Sequence, residues 1–195
     1  MKWSQPGRVA FLLAGMLLLG ACASPRPVNF QPPPLHHTGP DIQIADIDVL
    51  AVTPAMDEFL HRYILPYPNS HTKIELLYQT ALPSGVLDFN YDESLTLTAA
   101  EAFEMHSGNC VGFANMMVAL ARRAGLKAYY QEIYKEPEWS MNQDTLFLVK
   151  HVNVVVQTAG MNYILDVSGL RFGKSAHRQI VDDNYAKAFY LNNLG

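Results

Sequence analysis

The sequence predicts an α+β domain over residues 42–195, with helices in its first half and strands in its second. Helical spacing of apolar residues runs as far as Gly125, and segments rich in aromatic and β-branched residues begin directly after it. A central helix that starts at Cys110 stands where the two halves meet. Because separate runs of helices and strands form layers of helix on antiparallel sheet, we expect the sheet to pack on this central helix.

Three shorter helices are predicted ahead of the central one. The first has Thr53 as its cap and ends at Pro66, which cannot continue a helix. The second covers residues 71–82 through its helical spacing of apolar positions. The third opens with a capping box formed by Thr98 and Glu101. These three helices supply apolar faces for the central helix to pack against.

The central helix begins at a cysteine, in the run Ser107-Gly108-Asn109-Cys110, and we expect it to end at Gly125. Gly108 allows a tight turn just before the helix. The free N–H groups and the dipole of a helix N-terminus favour a thiolate, so Cys110 is a candidate nucleophile. The alternative is a small buried cysteine with no chemical role.

Three strands and a last helix are predicted after the central helix. The strands cover residues 127–134, 146–157 and 161–168, and Ala159-Gly160 is a plausible hairpin turn between the last two. Residues 181–193 are predicted as the final helix.

The hairpin register suggests a partner for a strand histidine. Pairing Thr158 with Met161 places Asn153 opposite Asp166 and makes His151 a diagonal neighbour of Asp166, about 7 Å away at Cα. A carboxylate in this position can orient an imidazole and stabilise its charged form. We therefore expect His151 and Asp166 to share a face; alternatively, His151 is an ordinary half-exposed strand residue.

Charge and motifs exclude several classes of function. The chain has 14 Lys and Arg against 18 Asp and Glu, a net charge of −4, which provides no basic face for nucleic acid. It contains no GxSxG, GxxxxGK[ST] or GxGxxG motif. Its histidines show neither HExxH nor paired-cysteine spacing. We therefore predict neither a metal nor a cofactor.

The first 41 residues predict a leader and a linker rather than part of the domain. Residues 9–21 are 13 residues without a charge, which is too short for a comfortable membrane span and suits a signal-peptide core. The core ends in Leu-Gly-Ala-Cys, which resembles a bacterial lipobox. We expect residues 1–21 to be a signal peptide, Cys22 to be lipidated, and the proline-rich residues 22–41 to be an extended linker.

Three stretches together resemble the transglutaminase-like superfamily of papain-type cysteine enzymes: GNCVGFANMMVALARRAGLKAYYQ, HVNVVV and YILDVSG. The resemblance covers residues 84–170 and implies a transglutaminase-like or papain-like fold. Carried over residue by residue, it implies Cys110 as nucleophile, His151 as base and Asp166 as orienting residue. The chain lacks the aromatic residue that better-known members often have directly beside the histidine, which leaves the type of substrate open.

An oxyanion hole requires a second donor besides the backbone N–H of Cys110. The loop predicted for residues 84–95 offers Asn90 and Tyr91, although a tyrosine there can simply pack. Trp139, in the loop predicted for residues 136–144, either lines the acyl-binding cleft or caps the core.

Together with the expected lipid on Cys22, the resemblance implies a membrane-anchored cysteine hydrolase or acyltransferase acting on amide bonds of a peptide or protein through a thioester. Peptidase, amidase and transglutaminase all remain open, and the alternative is a catalytically silent module that binds a peptide or partner. The chain also resembles bacterial lipoproteins in which such a domain precedes TPR repeats, so a TPR-mediated partner is expected if the chain is truncated after Gly195. Ala23 rather than Asp after the lipidated cysteine favours the outer membrane, facing the periplasm.

Overall fold

The computed structural model describes residues 46–134, 139–142, 145–148, 150–168 and 176–194. The predicted leader, residues 1–21, and the predicted linker, residues 22–41 with Cys22, lie outside the described residues.

Five helices are described, and their caps follow from the sequence. The Thr53 side chain accepts from the backbone N–H of Met56 at the first helix, and both halves of the Thr98–Glu101 capping box form at the third. The helices are α1 (Pro54–Tyr63), α2 (Ser70–Ala81), α3 (Ala99–Met105), α4 (Cys110–Arg123) and α5 (Asp183–Leu194).

The described strands form three sheets. They are β1 (Asn90–Tyr91), β2 (Ser107–Gly108), β3 (Lys127–Tyr134), β4 (Trp139–Asn142), β5 (Thr145–Leu148), β6 (His151–Gln157), β7 (Asn162–Leu165) and β8 (His177–Val181). The main sheet is antiparallel, in the order β7-β6-β3-β8. Strands β1 and β2 form a parallel pair, and β4 and β5 form an antiparallel pair. The predicted α+β class, with helices preceding an antiparallel sheet, is confirmed.

The β6–β7 hairpin has the register that the sequence predicts. Gln157 pairs with Asn162 and Val154 with Leu165. The N–H of Thr158 donates to the carbonyl of Met161 across the turn. The same register, continued past β7, brings Asp166 opposite Asn153, which decides where the carboxylate lies.

Three details of the strand pattern predicted for residues 84–157 are wrong. The single strand predicted for residues 146–157 is two strands, β5 and β6, and each pairs with a different neighbour. β-forming residues run through both halves, so the sequence pattern does not reveal the break. The loop predicted for residues 136–144 contains β4, and the loop predicted for residues 84–95 contains β1. β4 pairs with the neighbouring strand β5, whereas β1 is two residues long and pairs with β2 further along the chain.

The last correction concerns the end of the chain. An edge strand, β8, precedes α5, and four of its five residues are exposed, so it carries almost no hydrophobic pattern. Helix α5 begins at Asp183 instead of residue 181 because Asp182 caps it: the Asp182 carboxylate accepts from the N–H of Tyr185.

Helix α4 is buried along most of its length, which fixes the position of its first residue. Every residue from Val111 to Ala121 is buried. The polar one among them, Asn115, donates to the Leu97 carbonyl and accepts from the Tyr130 hydroxyl, so its amide is satisfied in the core. Arg122 at the far end of α4 forms a two-point ion pair with Asp183. A helix held in this way has little freedom to move Cys110.

Candidate active site

The N-terminus of α4 places the Cys110 thiol beside its own backbone N–H, which can serve as a hydrogen-bond donor. The Asn109 side-chain oxygen accepts from the N–H groups of Val111 and Gly112 at 3.0 and 3.1 Å. The Asn109 amide nitrogen donates to Thr96 at 2.7 Å, which fixes the cap in place. The N–H of Cys110 has no hydrogen-bond partner within the described residues. The half-buried thiol and this free N–H therefore lie together at the start of the helix.

The turn that leads into Cys110 depends on a glycine. Gly108 has φ +149°, a conformation that residues with a side chain rarely adopt. The next residue, Asn109, donates its N–H to the Leu95 carbonyl at 2.8 Å. The backbone conformation at this position therefore explains why a glycine precedes the helix.

His151 and Asp166 form the contact that the hairpin register predicts. His151 Nε2 lies 2.6 Å from Asp166 Oδ2, and the two side chains are only 6% and 20% exposed. The ring of His151 also hydrogen-bonds to the Cys110 side chain. Because Asp166 takes Nε2, the nitrogen left for the thiol is Nδ1. Thiol, imidazole and carboxylate thus stand in series.

The electrostatics favour a charged imidazole. Burial by itself lowers the pKa of His151, but the hydrogen bonds and charges of Asp166 and Cys110 outweigh burial and raise this pKa to about 9. Burial raises the pKa of Asp166, but the hydrogen bond and charge of His151 and the bonds from Ser168 hold it below its usual value. At neutral pH the pair is therefore imidazolium and carboxylate.

Asp166 is itself held by three residues. Ser168 donates to Oδ1 through both its N–H, at 2.9 Å, and its hydroxyl, at 2.8 Å. Asn153 donates its amide to Oδ2 at 3.4 Å. The Tyr78 hydroxyl donates to the Asp166 backbone carbonyl at 2.8 Å. These contacts aim the carboxylate at the His151 ring.

Sequence reasoning missed two of these supporting residues, Ser168 and Tyr78. The Asp-x-Ser spacing of Asp166 and Ser168 is a local signal, because an aspartate readily accepts from the N–H two residues on. Tyr78 gives no such signal, since 88 residues separate it from Asp166.

Of the two oxyanion candidates, Tyr91 is the one beside the thiol. Strand β1 pairs with β2, which leads directly to Cys110. The pKa of Tyr91 is raised by burial and then by the charges of Cys110, Glu93 and Asp166, so its hydroxyl stays protonated and able to donate. Asn90 directly precedes Tyr91 on the strand, so the alternation of strand side chains places the Asn90 side chain on the opposite face. The Asn90 backbone accepts from the Ser107 hydroxyl and donates to the His106 carbonyl.

A second polar cluster secures the start of β6 next to His151. The buried carboxylate of Glu132 accepts from Lys150 at 2.7 Å and from the Tyr185 hydroxyl at 2.8 Å. These same two partners, Glu132 and then Tyr185, raise the pKa of Lys150. Since Lys150 directly precedes His151, the cluster ties this end of the strand to α5.

The remaining observations concern Trp139, metal binding and membrane-spanning helices. The suggested role of Trp139 concerns a side chain outside the described residues and stays a prediction. Within the described residues, no three His, Cys, Asp or Glu side chains are grouped to hold a metal. Among the described helices, none combines the length and the apolar character needed to cross a bilayer.

Comparison with known families agrees with the fold. Residues 69–164 match the model of the transglutaminase-like superfamily. The chain carries a domain of this superfamily, which includes enzymes, as its sequence resemblance predicts. The matched region runs from the cap of α2 into β7 and contains Cys110 and His151, and it ends two residues before Asp166. No match was found among curated proteins or among solved structures.

Proposed function

We propose that this protein is a cysteine hydrolase or acyltransferase that acts on amide bonds. Cys110 is the nucleophile, His151 the acid and base, and Asp166 the orienting carboxylate. The observation that carries the proposal is the continuous series of contacts from the Cys110 thiol through His151 to Asp166. An imidazolium beside a thiol favours the thiolate, which is the reactive form.

The reaction runs in two halves. The Cys110 thiolate attacks the amide carbonyl carbon, and a C–S bond forms as the carbonyl π electrons move to oxygen. The His151 imidazolium gives its proton to the leaving nitrogen, the C–N bond breaks, and a thioester remains. Water or a second amine then attacks the thioester while His151 takes its proton, and the C–S bond breaks to restore the thiolate. Hydrolysis and transamidation differ only in this second nucleophile.

The developing oxyanion needs donors that are already in place. The N–H of Cys110, which has no hydrogen-bond partner within the described part of the chain, is the first donor, and the protonated hydroxyl of Tyr91 is the second. The exposed fraction of Tyr91, 39%, leaves this side of the thiol open to an incoming peptide. Cys110 is half-buried and not fully enclosed, which favours a reacting thiol over a silent peptide-binding module.

Mass spectrometry of envelope extracts tests the proposal. Extract incubated with the wild-type protein is expected to yield cleaved, deamidated or cross-linked peptides, and extract incubated with Cys110→Ala is not. Cys22→Ser is the matched control, because it changes the other cysteine and keeps the site. Identical products from wild type and Cys110→Ala would contradict catalysis and favour a binding module, which a pull-down with Cys110→Ala would then reveal.

We propose that the domain is anchored to the bacterial outer membrane through a lipid on Cys22 and faces the periplasm. The support is the Leu-Gly-Ala-Cys sequence at the end of the leader, with Ala23 after it. Cys22→Ser is expected to lose labelling by a palmitate analogue and to move from the membrane to the soluble fraction. Retention of the unlabelled variant on membranes would point to a different attachment.

A further inference from the structure

Asp166 lies just beyond the part of β7 that the sheet holds in place. The last paired residue of β7 is Leu165, opposite Val154 on β6. The backbone of Asp166 is instead fixed by α2, through the 2.8 Å hydrogen bond from the Tyr78 hydroxyl to its carbonyl. A residue remote in sequence therefore holds the main chain at the position where the carboxylate must be aimed.

The direction of this hydrogen bond is certain because a carbonyl can only accept. Burial raises the pKa of Tyr78, and the charge of Asp166 raises it further, so the hydroxyl keeps its proton throughout the neutral range. The Tyr78 ring packs against the main apolar core, so the hydroxyl approaches Asp166 from a fixed support.

A second tyrosine makes a comparable link between the same two elements. The hydroxyl of Tyr163 on β7 lies 2.8 Å from Nδ1 of His71 on α2. Both tyrosines thus join α2 to the β7 segment through one hydroxyl group. Only the Tyr78 link ends on Asp166, so the pair separates an effect on the site from an effect on packing.

We propose that Tyr78 is a positioning residue that acts on the thiol–imidazole pair through Asp166. This inference rests on the proposed function. With the carbonyl fixed, both carboxylate oxygens are presented in one orientation, Oδ1 to Ser168 and Oδ2 to His151. Without the Tyr78 hydrogen bond, the Asp166 carboxylate can adopt other orientations and stabilises the His151 imidazolium less. A smaller fraction of the imidazolium then stabilises a smaller fraction of the Cys110 thiolate.

The test compares Tyr78→Phe with Tyr163→Phe in the full chain. Each variant keeps the ring and loses one hydroxyl. The rate of Cys110 alkylation by iodoacetamide is measured from pH 5 to pH 10, with thermal unfolding recorded in parallel. Tyr78→Phe is expected to lower the rate at pH 6 by about threefold to tenfold, the equivalent of a 0.5–1 unit shift in the profile. Tyr163→Phe is expected to keep the wild-type profile.

The outcomes separate this inference from the function on which it rests. A wild-type profile for Tyr78→Phe, or equal shifts for both tyrosine variants, would overturn the positioning role while a shifted profile for Asp166→Asn leaves the proposed function standing. An unshifted profile for Asp166→Asn as well would count against the proposed function itself. If Tyr78→Phe does not fold, Ser168→Ala tests the same dependence from the Oδ1 side, and an unchanged profile there overturns the requirement for an aimed carboxylate.

Discussion

Replacing His151 with glutamine is expected to lower kcat/KM on a Cys110-dependent substrate by about 10³–10⁴ at neutral pH. The variant loses both the imidazolium that pairs with the thiolate and the proton donor for the leaving nitrogen, and general acid–base catalysis alone is worth about 10²–10⁴. The measurement is product formation by mass spectrometry at matched protein concentrations.

His71→Gln is the matched control for that experiment. His71 makes its contacts with Glu75 and Tyr163 instead of with Cys110 or Asp166, and its side chain is about half exposed. Its replacement is expected to change the rate by less than about threefold, since surface substitutions of this kind have small effects. Full activity in His151→Gln would remove the imidazole from the mechanism.

Replacing Asp166 with asparagine is expected to lower turnover by about 10²–10³, less than the 10⁴ lost in a serine enzyme because a thiol depends less on its base. The surroundings decide which end of the amide meets His151. Ser168 donates two hydrogen bonds to Oδ1, so the amide oxygen takes that place and the NH₂ group faces Nε2. The ring proton then sits on Nδ1, where it blocks acceptance of a proton from the thiol side.

Asp57→Asn provides the control for the second experiment. Asp57 forms a two-point ion pair with Arg123, at the opposite end of α4 from Cys110. The Asp57→Asn variant therefore loses a carboxylate and an ion pair but leaves the contacts of Cys110, His151 and Asp166 unchanged. Activity of Asp166→Asn equal to that of Asp57→Asn would show that Asp166 has no part in the chemistry.

Much of the site follows from the sequence because its determinants are local. A two-residue turn at Ala159-Gly160 sets the register of the β6–β7 hairpin, and the register alone brings His151 and Asp166 together. The capping pattern likewise sets where α3 begins, and Asn109 sets where α4 begins. At these positions, the identities of neighbouring residues are therefore sufficient to predict which side chains come into contact.

The remainder depends on contacts between residues far apart in the chain. The Tyr78 hydroxyl meets Asp166 only because α2 packs beside the end of β7. The break between β5 and β6 is hidden because both strands are equally β-forming, and the exposed strand β8 forms because β3 offers it a free edge. Such features depend on tertiary pairing that no window of local sequence encodes.

The pH dependence of Cys110 alkylation tests the central claim most directly, because it needs no knowledge of the substrate. The pKa of His151, about 9 against an ordinary 6.5, predicts that the imidazolium persists through neutral pH and is lost only as the pH rises through about 9. Wild-type Cys110 is therefore expected to react with iodoacetamide near its full rate at pH 6–7. The alkylation rate is expected to change near pH 9, where His151 loses its proton. His151→Gln is expected to react slowly at pH 6–7. A wild-type profile identical to that of free cysteine, and unchanged in His151→Gln, would contradict an activated thiol.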